Sequence, residues 1–91
     1  MKTRSKSGEH LWETRRAKKL PQRIVAPRLW GHLSLKKAIL RLRGIETHGL
    51  HVSFFRRVAG AYGMTPKETS KLKKLAEEDT MMFAREFVAA G

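Results

Sequence analysis

Apolar residues recur at helical spacing in three stretches of the chain, and no strand-like alternation lasts beyond four residues. Leu35, Ala38, Ile39 and Leu42 fall at i, i+3, i+4 and i+7, with Lys36, Lys37, Arg41 and Arg43 on most of the opposite side. Ser34 precedes them as an N-cap and Gly44 follows as a left-handed stop, which predicts a first helix over 35–43. Within Val52–Tyr62, a second stripe of Phe55, Val58, Ala59 and Tyr62 runs from a cap at Ser53 to a stop at Gly63. Thr65-Pro66-Lys67-Glu68 is the clearest helix start, because the Thr hydroxyl can accept from the Glu68 amide while the Glu68 carboxylate accepts from the Thr65 amide. The third helix continues through Leu72, Leu75, Ala76, Met82, Phe83, Phe87 and Val88. The polar run Glu77-Glu78-Asp79-Thr80 predicts a kink in it, or a restart capped by Asp79 or Thr80.

Residues 1–33 read differently. They hold Pro21 and Pro27, nine Lys or Arg and no sustained period, which predicts an irregular basic N-terminal arm. Leu11, Trp12, Leu20, Ile24, Val25, Leu29 and Trp30 are too many apolar residues for a solvated tail, so parts of the arm are expected to dock on the domain or on a partner. About two helical turns fit Glu13 to Lys19 before Pro21 ends them. The expected architecture is all-α, a small three-helix domain over 34–91 behind the arm 1–33.

The 91 residues carry a formal charge of +12 and no cysteine. That length allows one small core, and the missing cysteines exclude a disulfide scaffold, thiolate metal sites and thiol catalysis. No apolar run reaches the ~18 residues that span a bilayer, and a membrane partner is not expected. Up to Lys74 there are 19 basic residues against Glu9, Glu13, Glu46 and Glu68, whereas from Leu75 onward Arg85 stands against four acids. A polyanion is therefore drawn to the first two-thirds of the chain and repelled by the rest.

Phe55 to Lys74 carries Val58, Ala59, Tyr62, Gly63, Met64 and Leu72 at the fourth, fifth, eighth, ninth, tenth and eighteenth positions. In these positions it resembles the helix-turn-helix unit of DNA-binding regulators, departing at Thr69, where such units place Val or Ile. Small Ala59 would allow close helix approach and Gly63 the positive φ of the turn. The resemblance implies that the start of the third helix enters a major groove, presenting Thr65, Lys67, Ser70, Lys71 and Lys74. With no Arg, Asn or Gln on that face, base reading is expected to be weak. The plainer use of Lys71, Lys73 and Lys74 is a solvated face paired with Glu77 and Glu78.

In the arm, Arg15, Arg16, Lys18, Lys19 and Arg23 form a second device for a minor groove or for RNA, and Lys36 and Lys37 add to it. Trp12 and Trp30 flank this cluster and are expected to anchor the arm rather than stack on bases. The leading reading is a DNA-binding regulatory or accessory protein. The runner-up is an RNA-bound protein of a ribosome or other ribonucleoprotein particle, and the third is a protein-only modulator. If six to ten phosphates are neutralised, affinity should fall by about 10³ to 10⁵ between 50 and 200 mM salt.

Met81, Met82, Phe83 and Phe87 are expected in the core and at an interface with a second copy or a protein partner. His48 and His51 lie three apart, with His10 and His32 isolated, so no metal site or other cofactor is implied. No catalytic constellation is visible, and no enzyme is expected. The expected compartment is the cytoplasm, on the nucleoid in a bacterial or phage setting, with the mitochondrial matrix as an alternative.

Overall fold

The computed structural model describes residues 4–90, the side chains of 82–90 excepted. Ser5 opens the first helix, α1 (Lys6–Ala17), by accepting from the Gly8 amide through its hydroxyl. Lys19, at φ +55, turns the chain out of it. Helix α2 (Gln22–Leu29) starts after Pro21 and carries Pro27 on its exposed side. Helix α3 (Leu35–His48) is capped by Ser34 through the Lys37 amide. A short 3₁₀ turn at Val52–Phe54 leads into α4 (Phe55–Tyr62), and α5 (Pro66–Ala90) follows.

The all-α class stands, with five helices among the described residues instead of three. The irregular arm does not. Residues 6–29 form two helices whose Leu11, Val25, Ala26 and Leu29 are buried in the same core as Ala38, Leu42, Val58, Tyr62, Leu72 and Ala76. The physical reason lies in the inward face of α1. Besides Leu11 it buries Ser7, Gly8, His10 and Thr14, so its periodicity is one of small and hydrogen-bonded residues that apolar counting misses.

Two helix ends also differ from expectation. Helix α3 runs through Gly44 to stop at Gly49, φ +91, because Ile45 and Glu46 still face inward. Helix α5 neither breaks nor restarts at Glu77–Thr80. Asp79 caps another helix instead, accepting from the Ser7 amide at 2.8 Å and from the Ser7 hydroxyl at the start of α1.

Helix α1 packs on both α3 and α5, α2 packs on α3 and α4, and α4 packs on α5. Helices α2 and α4 are locked by crossed caps. Arg28 donates to the Ala61 carbonyl at 3.0 Å and Arg57 to the Leu29 carbonyl at 2.9 Å, each satisfying a carbonyl at the other helix's C-terminal end. Among the described residues no helix is long and apolar enough to cross a membrane.

Candidate nucleic-acid interface

The turn between α4 and α5 has the chemistry its residues dictate. Gly63 sits at φ +66, ψ +37, Val58, Ala59, Tyr62 and Leu72 are buried, and Met64 is half-buried. Both arms of the capping box form: Thr65 N–H donates to Glu68 Oε1 at 2.9 Å, and Glu68 N–H to Thr65 Oγ1 at 3.2 Å. The Thr65 amide, followed by Lys18, holds the Glu68 carboxyl below its ordinary pKa. Thr69, the departure from the helix-turn-helix pattern, turns its hydroxyl onto the Thr65 carbonyl at 2.9 Å.

With Leu72 and Ala76 inward, an advance of 100° per residue sets Lys67, Ser70, Lys71 and Lys74 along the outer side of α5, and all four are exposed, as is Thr65. Among the described residues Lys71, Lys73 and Lys74 form no ion pair, so the expected pairing with Glu77 and Glu78 is not made. Glu78 goes to Lys6 Nζ instead, at 3.0 Å.

Two further groups border this stripe. On the α1 side, Lys18 Nζ reaches Glu68 Oε1 at 3.2 Å, which brings Lys18 and the exposed Lys19 to the first turn of α5. On the α4 side lies a shallow groove of ≈ 410 Å³, where Arg56 and Lys73 stand 5.7 and 5.8 Å from the Phe55 ring centroid. Arg56 is not among the expected contacts, and Lys73 is expected only on the face it shares with Lys71 and Lys74. The available signal was their spacing, which sets each off the apolar stripe of its own helix and beside the shared turn.

Arg15 is a correction. Its Nε and Nη2 donate to Glu46 at 2.7 and 3.0 Å and its Nη1 to the Leu20 carbonyl at 3.1 Å, which occupies the guanidinium inside the fold. Glu46, 2% exposed, also accepts from the Tyr62 hydroxyl at 2.6 Å. Burial, together with that carboxylate, pushes the Tyr62 phenol far above its ordinary pKa. The bond to Glu46 likewise raises the Arg15 guanidinium.

Arg16 is exposed but lies 4.6 Å from the Trp12 ring centroid, and Arg4 lies 4.4 Å from it. Cations thus cover an indole considered for bases. Trp30 packs against Phe54 at 6.5 Å. Arg23, Lys36 and Lys37 are exposed on α2 and α3, whose backbones pack on α1 and α4 and on each other rather than along α5.

Met81 is 59% exposed, beyond the acidic turn of α5. The side chains of Met82, Phe83 and Phe87 lie outside the described residues. Buried His10 meets the Glu68 carbonyl at 3.1 Å, and His51 caps the turn that follows it through the Ser53 amide. Comparison of the chain with protein-family models, with curated proteins and with solved structures finds no match.

Proposed function

We propose that the protein binds duplex nucleic acid, DNA in the first place, by laying the first turns of α5 into the major groove. One observation carries this reading: the α4–Gly63–α5 turn presents Lys67, Ser70, Lys71 and Lys74 as one exposed stripe flanked by Lys18 and Lys19 on one side and Arg56 and Lys73 on the other. An α-helix of about 10–12 Å diameter matches a groove about 12 Å wide, and flanking cations then meet the phosphates at its edges. The stripe ends where Glu77 and Glu78 follow on the same side. From Thr65 to Lys74 the basic segment is about 15 Å long, and the acids beyond it repel a longer track.

The stripe offers lysines, a serine and a threonine, which suit phosphates and single base contacts, so binding is mainly electrostatic and weakly selective in sequence. The RNA-bound reading drew its support from an extended arm threaded through a folded RNA, and residues 6–29 are instead helical parts of the core.

Methylation protection on a guanine-containing duplex tests the proposal, because guanine N7 is exposed in the major groove. The wild-type protein protects N7 at low salt. The Lys67→Glu, Lys71→Glu, Lys74→Glu variant loses that protection, and its affinity falls at least about tenfold, with its helix content unchanged. Duplex binding without N7 protection, or protection that survives the triple reversal, overturns the major-groove reading.

A further inference from the structure

The α2–α3 hairpin holds a second cationic surface that the α5 stripe does not use. From Gln22 to His48 the cations are Arg23, Arg28, Lys36, Lys37, Arg41 and Arg43, all exposed, and the one acid is Glu46. That acid is buried and answered by Arg15 and Tyr62, so it offsets nothing at the surface. Arg28 is tied to the Ala61 carbonyl, and the other five form no ion pair among the described residues. Lys36 and Lys37 stand in the first turn of α3 and Arg23 in that of α2, where the helix dipole disfavours cations and no acid compensates. A bound polyanion would relieve this repulsion.

The two basic surfaces face apart. On α1, Ser7 and His10 turn toward α5, meeting Asp79 and the Glu68 carbonyl. Arg15 turns toward α3, and Gly8 lies against the Glu46 backbone. At 100° per residue these two pairs are about 120° apart around α1, so α3 and α5 flank it on separate sides and each directs its outer face away from the shared core. Lys36, Lys37 and Arg41 occupy the outer face of α3, with Leu40, 56% exposed, among them.

We infer that this α3 face binds the phosphate backbone of a second nucleic-acid segment, so that one molecule joins two duplexes. The inference rests on the proposed function for its first duplex. Charge complementarity selects the occupant: five cations outside any ion pair, without a surface acid, repel a second copy of the same face, and the exposed Leu35, Leu40 and Ile24 include no aromatic residue of the kind a lipid-inserting helix carries.

The test uses the full chain with excess duplex of about one helical turn, read by sedimentation, together with capture of a labelled duplex on beads carrying an unlabelled one. Wild type carries two short duplexes per monomer and captures the label. Lys36→Glu, Lys37→Glu, Arg41→Glu carries one, loses capture at least about tenfold and keeps N7 protection. Lys67→Glu, Lys71→Glu, Lys74→Glu also carries one and loses capture but has no N7 protection.

A wild type that protects N7 yet carries one duplex and does not bridge overturns this inference alone. A wild type that binds no duplex overturns it together with the major-groove reading. An α3 variant that bridges normally but no longer binds anionic phospholipid vesicles held by the wild type assigns the face to a membrane and overturns the inference.

Discussion

Glu46 and Glu68 each answer a cation of α1 or of its C-cap, one where α1, α3 and α4 meet and the other at the outer seam of α1 and α5. At the inner junction both partners are withdrawn from water, Arg15 at 12% and Glu46 at 2% exposure, and every nitrogen or oxygen that could point elsewhere is engaged by Tyr62 or Leu20. At the seam Lys18 and Glu68 are both partly hydrated, and the carboxylate is shared with the capping box. A charge in the first setting fixes the angle between helices and is lost to any ligand. In the second it stays close to solvent, where a phosphate can replace the carboxylate at small cost.

The largest expected effect comes from breaking the inner junction. Glu46→Ala strands the Arg15 charge and the Tyr62 hydroxyl, and should cost about 3–5 kcal/mol in urea unfolding. An unchanged midpoint would remove the distinction between the two regions. Alkali probes the same junction more gently. Below about pH 10 the Tyr62 phenol is protonated in both folded and unfolded chains, so it adds no pH dependence. Above that value the unfolded chain releases the proton while the raised folded pKa retains it, and stability falls by up to about 1.4 kcal/mol per pH unit. Tyr62→Phe should be less stable at neutral pH and show a shallower loss between pH 10 and 11; parallel slopes would contradict the assignment. Smallest is Lys18→Ala at the seam, expected to change stability by less than about 1 kcal/mol in a thermal melt. A loss as large as that of Glu46→Ala would place the seam in the same class as the junction.

What could be read from the chain divides along similar lines. The Thr65–Glu68 box, the Ser34 cap and the Gly63 turn are made by residues within four positions of one another, so their chemistry is complete in a short window. The partners of α1 are distant: Glu46 is 31 residues from Arg15, and Asp79 is 72 from Ser7. Without them, an amphipathic helix that buries serine, glycine, histidine and threonine resembles a polar arm, and Pro27 resembles a break. The lysines of α5 were legible as surface because Leu72, Leu75 and Ala76 fix the opposite side. Within Arg15-Arg16 the sequence offers two equal cations, and only the 100° between them, set against the position of Glu46, turns one inward. That Lys36 and Lys37 face away from α5 depends on how α1 sits between two helices, which no local pattern encodes.

The carboxylate of Asp79 at the head of α1 also bears on the order in which the chain is made. Helix α1 is completed by a residue that leaves the ribosome 72 positions after Ser7. Until then the Ser7 amide lacks its carboxylate, its hydroxyl has only the Leu50 amide to accept from, and a nascent chain stopped short of α5 lacks both Leu72 and Ala76. Closure of the domain therefore waits on α5, and helices made before it lack part of the core they share.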